Sequence, residues 1–388
     1  MVKQNRIGVG GSGFIARGFV MAIDGQRDLT ISRVLTRSEV MSRSDFPRQD
    51  LLTTSVNELI DNSDIVLECS GDAIYGTEVI EKVMSAAIPV VTMNAELQVT
   101  TGSYFARKGF ITEAEGDQPG CIAALREDLL QMGFKPLVYG NIKGFLNYYP
   151  TKEEMDFWAK KQGISMDKVI SFTDGTKVQI EQTLVANGLG CGIVQPGLLG
   201  YRSDDLIIIG NKLAEHAKNL GYAISEFVLS SKLAPGVFIV AEHDERQKMY
   251  LTYFKLGNGP FYVLLRNYHL CHLEIVKTIR RVLCGGGVLI NNTSCPKISV
   301  GAIAKRTLSP GDCIVRGIGS FDVRGSALRI SENPNHVPIG LIEHTKVTRR
   351  IENGQIITFQ DIEIEENIVF QIWQNILSNC TCDETIEN

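Results

Sequence analysis

The chain has no run of lysine or arginine, and its 39 basic residues are outnumbered by 44 acidic ones, for a formal net charge of −5. Nucleic acids and anionic membranes recruit clustered cations, so neither is an expected partner. No apolar stretch approaches the length of a membrane span. MVKQNRIGVG runs straight into a predicted strand with no leader-like segment before it, so a cytoplasmic location is expected. None of the nine cysteines forms a Cys-x-x-Cys pair, and most sit in apolar surroundings. That spacing predicts reduced thiols, with neither a disulfide framework nor a zinc site. Cys380 and Cys382 fall in a polar tail, residues 378–388, expected to be disordered. The second predicted strand, Leu29 to Ser38, has no Asp or Glu at its end, where a site for NAD places one to hold the ribose hydroxyls.

What is present begins with RIGVGGSGFIARGF, Arg6 to Phe19. A short apolar strand enters Gly11-Ser12-Gly13-Phe14-Ile15-Ala16, and a helical pattern follows. Gly11 permits a tight turn because no Cβ obstructs it. Gly13 lets backbone N–H groups approach a diphosphate, and Ala16 is small enough for the helix to pack on the strand. The positive end of that helix then faces the anion. Gly11, Gly13, Phe14, Ile15 and Ala16 are therefore expected to bind a dinucleotide. Arg37, standing where the acid is missing, suits a 2′-phosphate, so NADP is expected rather than NAD.

Strand and helix patterns alternate onward through Asp64–Asp72, Thr77–Ala87 and Ile88–Glu96, which predicts a parallel, doubly wound sheet. Its strand ends, with Ser70, Gly71 and Asn94, should face the nicotinamide half of the cofactor. A further unit runs from Asp117 to Gly144. From Ser171 to Gly190 polar residues are set among apolar ones, and Lys177 to Asn187 has helical periodicity, with Lys177 and Glu181 one turn apart. Near the end, residues 304–314 resemble residues 347–357. Each copy is a strand, a basic residue, an aliphatic residue, a glycine turn and a second strand, which predicts a small pseudo-symmetric β module. The chain thus reads as α/β with residues 1–144 as a dinucleotide-binding Rossmann domain, 145–295 as an α+β catalytic and dimerisation domain whose final helix packs back on the first, 296–377 as a small β domain, and 378–388 as a tail.

The N-terminal fingerprint, VVTMNAE, AEGDQPG, GNIKG, SFTDGTK and the closing repeat occur in the order seen in one family. The chain resembles homoserine-dehydrogenase-like NAD(P) oxidoreductases with a C-terminal SAF domain, a β-clip module related to antifreeze proteins and to the tail of sialic acid synthases. That group includes the 1-deoxy-D-xylulose 5-phosphate reductoisomerase-like enzymes. The resemblance implies an NADP-dependent oxidoreductase, and a homo-oligomer, acting on CH–OH groups of a small polyhydroxylated, phosphorylated carbonyl or alcohol substrate, with a reductoisomerase as the most specific form. The alternatives are a homoserine dehydrogenase and a non-catalytic NADP- or carbohydrate-binding protein. Homoserine dehydrogenases usually have a lysine after the asparagine that matches Asn94; here Ala95 and Glu96 stand there.

Reduction of a carbonyl needs a proton donor beside the oxygen and a charge to steady the alkoxide. Lys143, at a strand end, and Lys177, at a helix start with Glu181 in reach, are the candidates, with Asp174 beside them. A lysine in an apolar pocket loses solvation and exchanges protons nearer neutrality. Glu96, Asp117, Gln118, Tyr268 and His269 are expected to line the substrate pocket. Asp117, Gln118, Asp174 and Glu181 form an oxygen-rich set for sugar hydroxyls, with a divalent cation as the weaker alternative, and no metal site is assigned. His269 and His272 read as hydrogen-bonded rather than metal-ligating. Arg202 and Arg266 read as surface residues, with anchoring of a substrate anion as the alternative. In the β module, Lys305, Arg306, Arg324, Arg349 and Arg350 and the loop Phe321–Gly325 are candidates to close a pocket or build an interface.

Overall fold

The computed structural model describes residues 4–383. The chain divides into two compact units. The first is assembled from three stretches, Met1–Cys121, His269–Cys295 and Gln371–Asn388, and the second from Ile122–Tyr268 and Pro296–Phe370.

In the first unit, β1 (Asn5–Gly10), β2 (Leu29–Leu35), β3 (Leu52–Thr53), β4 (Ile65–Glu68), β5 (Val90–Thr92) and β6 (Ile111–Glu113) form one sheet in the order 3-2-1-4-5-6. Every pairing in it is parallel. This is the doubly wound order, with its reversal between β1 and β4, where such sheets bind ligands at their carboxyl ends. β4 and β5 are buried along their whole length, as strands covered on both faces must be. The helix Phe14–Ile23 buries Ala16, Phe19, Val20 and Ile23. Against it packs the helix Cys271–Leu283: Ile275 and Ile279 share its core cluster, Gly18 meets the His272 ring, and Arg280 holds Asp28 at 2.8 Å. A second late helix, Ile368–Asp383, buries Trp373.

Two expectations change here. Residues 378–383 are helical rather than disordered, and 384–388 lie outside the described residues, as does the Cys382 side chain. The helix carries Cys380 to a Cα–Cα distance of 5.3 Å from Cys295, and the two are joined as a disulfide across 85 residues of sequence. The expectation of reduced thiols therefore fails for this pair. Cys191, Cys284 and Cys313 stand outside that pair.

In the second unit, β7 (Lys135–Lys143) lies at the centre of a mixed sheet with β8 (Tyr201–Arg202), β9 (Ile224–Leu229), β10 (Gly236–Glu242) and β11 (Phe261–Arg266), in the order 11-10-7-9-8. The sequence reading put β7 in the Rossmann domain. Its hydrogen-bonded neighbours are β9 and β10, so the boundary falls near residue 121, inside the helix Gln118–Gln131, and not at 144.

The closing segment adds β12 (Ile298–Ala304), β13 (Cys313–Ile314), β14 (Val323–Arg329), β15 (Thr345–Val347) and β16 (Ile362–Glu363). The repeated residues meet in reciprocal backbone pairs. Leu308 N donates to Ile351 O at 2.9 Å, and Ile351 N to Leu308 O at 3.0 Å. Gly311 N donates to Val347 O and Gly354 N to Ala304 O, each at 2.8 Å. Val347 N reaches Asp312 O as Ala304 N reaches Gln355 O. Equivalent positions thus exchange equivalent bonds, which is the signature of an approximate two-fold axis through the module. β14 lies on the helix Thr176–Gly188, where Gly325 N and Ala327 N donate to the side chains of Thr176 and Gln179, each at 2.9 Å.

Candidate functional site

The residues expected to carry chemistry fall into two sets, one in each unit. In the first unit, β1 ends at Gly10 and the chain turns at Gly11, whose φ of +119° suits glycine. A Cβ there would lie 2.9 Å from the Ser70 backbone. Gly13 caps the following helix in extended geometry, with no side-chain cap and no acid in the first turn. A Cβ on Gly13 would meet nothing within 4 Å. An uncapped helix start with free space above it fits a diphosphate. Ala16 is wholly buried, and Phe14 is exposed beside the turn.

The end of β2 is more elaborate than the sequence suggested. Arg37 pairs with Asp72 at 2.8 Å and lies 4.8 Å from the centre of the Tyr75 ring. A second arginine, absent from the sequence reading, crosses the glycine turn: Arg43 Nη1 donates to Ser12 Oγ at 2.6 Å and Nη2 to the Ser12 carbonyl at 2.9 Å. Ser12 Oγ in turn donates to Thr36 Oγ1 at 3.0 Å. Ser12, Thr36, Arg37, Ser38 and Arg43 gather hydroxyls and two cations at the strand end, Arg37 paired with Asp72 and Arg43 also with Asp45 at 3.0 Å.

Ser70 donates through its N–H and hydroxyl to Glu68, and Gly71 takes a left-handed φ of +68°. Asn94, expected at the cofactor, is fully buried. Its carbonyl accepts from Leu97 N and its amide donates to the Asp72 carbonyl, so it shapes the strand ends and presents no atom to a ligand. Glu96 is half-buried on the turn that follows. Asp117 and Gln118 are both buried. Gln118 Nε2 lies 3.2 Å from His269 Nε2, bringing together two expected pocket residues that are 151 apart in sequence. Among the described residues, no three His, Cys, Asp or Glu side chains gather as a metal-binding group.

In the second unit, Lys143 closes β7 with its Nζ 2.8 Å from Glu181 Oε2. Asn141, two residues earlier on the same face of the strand, donates to that oxygen at 2.9 Å. Glu181 is 1% exposed and Lys143 is 20% exposed. A sealed carboxylate therefore holds a lysine whose side chain is itself largely, but not wholly, buried. The sequence reading coupled Glu181 to Lys177, which is half-buried one turn earlier on the helix; the structure adds Lys143 as a partner of the same carboxylate.

Asp174 has no access to a substrate. Its side chain is fully buried, with Oδ1 accepting from Thr176 N at 2.9 Å and Oδ2 from Lys305 Nζ at 2.8 Å. Lys305 also donates to the Ser320 carbonyl and is itself buried. Asp174 thus caps the helix start and latches the β module, which corrects its expected catalytic role. Immediately beyond Lys143 the chain forms the wall of a cleft of about 460 Å³, lined among others by Phe145, Asn147, Trp158, Phe172 and Thr173. Tyr268 is exposed, with the Arg266 guanidinium 5.0 Å from its ring centre. Arg202 is exposed on β8.

Residues 116–275 match the family model of the catalytic domain of oxidoreductase DRL. The chain therefore carries an oxidoreductase catalytic domain, and Lys143, Lys177 and Glu181 all lie within it. Among solved structures, it is similar to a probable dehydrogenase from Thermotoga maritima, at 11% identity, over 74% of this chain and 91% of that one, with a TM-score of 0.44. It is similar to the UDP-N-acetylglucosamine 3-dehydrogenase GnnA from Acidithiobacillus ferrooxidans at 12% identity, over 75% and 93%, with a TM-score of 0.43. A homoserine dehydrogenase from Thiobacillus denitrificans aligns at 16% identity, over 72% and 73%, also with a TM-score of 0.43. No curated protein matches the chain. Among the described residues, no helix is long and apolar enough to cross a membrane.

Proposed function

We propose that this protein is an NADP-dependent oxidoreductase interconverting an alcohol and a carbonyl on a small polyhydroxylated substrate, with Lys143 as its acid–base residue. The observation that carries the reading is the Lys143–Glu181–Asn141 triad at the end of β7, inside the segment that matches an oxidoreductase catalytic domain.

Gly11, Ser12, Gly13 and the free N–H groups of the helix start would hold the diphosphate, and Arg37 and Arg43 the 2′-phosphate. The reduced nicotinamide, when bound, supplies a hydride. The chain's own residues supply the proton and the charge. Lys143 Nζ donates a proton to the substrate oxygen as it becomes a hydroxyl, and takes it back in the reverse direction. Glu181 cannot rotate away, because Asn141 fixes the oxygen that faces Lys143. It therefore keeps the ammonium aimed, and its buried charge compensates the cation at low solvent cost. The cleft beyond Lys143 holds the rest of the substrate, with Asn147 and Thr173 as polar partners among aromatic walls. The two-fold module at residues 296–370 supports the reading of a β-clip domain of SAF type, and its Lys305 braces the helix that carries Glu181.

Titration of NADPH and NADH by fluorescence, followed by a screen of carbonyl substrates for loss of reduced-nicotinamide absorbance, tests this reading. NADPH is expected to bind more tightly than NADH, and Lys143→Ala to bind NADPH normally while turning over substrate far more slowly. Failure of both cofactors to bind overturns it.

A further inference from the structure

Glu68 ends β4 and is buried, yet among the described residues it forms no ion pair. Its backbone row across the sheet runs from Gly10 through Glu68 to Thr92 and on to Glu113. One carboxylate oxygen accepts from Ser70 N at 2.9 Å and from the Ser70 hydroxyl. The other accepts from Thr92 Oγ1 at 3.1 Å. Asn94 adds a further hydrogen bond. The turn so held is one wall of the glycine cradle, because a Cβ on Gly11 would fall against Ser70.

We propose that Glu68 is a positioning residue of the dinucleotide site: its carboxylate fixes the Ser70–Gly71 turn against the Gly11 turn, and cofactor affinity falls when it takes up a proton. This rests on the reading that the Gly11–Ala16 turn holds a dinucleotide. An ionised carboxylate accepts at both oxygens, whereas a protonated one turns an acceptor into a donor, so the hydroxyl facing it must rotate to accept or the bond is lost, and the network that holds the Ser70 turn is rearranged. Desolvation pushes this carboxyl up to about 7, despite the hydrogen bonds from Ser70, Thr92 and Asn94 that favour its charged form. The titratable and charged groups around it are Asp72 and Tyr75 at the start of the helix Ala73–Ser85, Arg37 paired with Asp72, and Glu113 beyond Thr92. β1 contributes only Gly10 to the row.

The test is the Kd of NADPH, measured by fluorescence at about pH 6 and about pH 8.5, on either side of the expected transition, for the wild type, Glu68→Gln and Thr92→Val. Wild-type affinity is expected to be about tenfold weaker on the acid side, the worth of one charge-assisted hydrogen bond. Glu68→Gln keeps an acceptor for Ser70 N but cannot titrate. It should retain only the smaller pH dependence that comes from the 2′-phosphate itself, while urea unfolding shows no loss of stability. Thr92→Val removes a donor to the charged form and should move the wild-type midpoint to higher pH. Equal pH dependence in the wild type and Glu68→Gln, or an unmoved midpoint in Thr92→Val, overturns the role of Glu68 while leaving the dinucleotide reading intact. Absence of NADPH and NADH binding to the wild type at the alkaline pH overturns both.

Discussion

Lys143 Nζ and Glu181 Oε2 lie 2.8 Å apart although 38 residues separate them in the chain. The strand end delivers one and the helix Thr176–Gly188 the other, and Asn141 pins the shared oxygen. Loss of a positioned acid–base group typically costs about 10²- to 10⁴-fold in rate, so Lys143→Ala should lower kcat by that order with little change in NADPH affinity. Glu181→Gln keeps the bond to Asn141 but removes the countercharge and should cost less. Lys177→Ala should also cost less than Lys143→Ala; a larger loss would transfer the acid–base role to Lys177.

Cofactor choice is expected to rest on two arginines. Each charge-assisted bond to a phosphate is worth about 1.5–3 kcal/mol, or roughly ten- to a hundredfold in affinity. Arg37→Glu and Arg43→Ala should therefore weaken NADPH by that order and NADH by much less. Equal losses for the two cofactors would refute the 2′-phosphate role.

Lys305→Met leaves the Asp174 carboxylate sealed with no cation, a change that typically costs about 3–5 kcal/mol. Urea unfolding should show that loss, and the double variant Lys305→Met/Asp174→Leu should recover part of it. Full stability in Asp174→Asn together with lost turnover would instead return Asp174 to the chemistry.

Glu226 is buried on β9 and accepts from the backbone N–H groups of Leu199 and Gly200, yet burial raises it from its ordinary 4.5 to about 7. The folded state therefore holds a proton that the unfolded state has already lost. This contribution is complete below about pH 4.5 and disappears as pH rises through about 7, at about 1.4 kcal/mol per unit of pKa difference. Urea unfolding between about pH 5 and 8 should show stability falling with pH, and Glu226→Gln should flatten that slope.

The two-fold pairing of the β module equates Leu308 with Ile351, both wholly buried. Truncating either to Ala should cost about 2–5 kcal/mol, and the two losses should agree closely. A large difference between them in thermal unfolding would mean that the two halves are packed unequally.

The local signals were legible. β1, the Gly11 turn and the helix behind it follow from residues in contact along the chain, and the 304–314 and 347–357 repeat follows from self-similarity. Lys143, Lys177 and Glu181 were legible as types at strand and helix ends, but the contact between Lys143 and Glu181 was not, because it depends on which strand lies against the helix. Arg43 was missed because it stands in an irregular loop with no periodicity to place it, and Glu68 because its apolar strand hid it. Asp174 looked catalytic until Lys305, 131 residues later, was found buried against it. The domain boundary failed for a similar reason: β7 continues the strand–helix alternation of the first sheet, and only its hydrogen-bonded neighbours show that it belongs to the second.

The three-piece construction of the first unit has a consequence for synthesis. Trp373 is buried in it, and Arg107 donates to both the Ser294 carbonyl and Asn375. A nascent chain emerging from the ribosome therefore exposes the parallel sheet long before its closing helix exists. The first unit is complete only once residues 371–383 have been made.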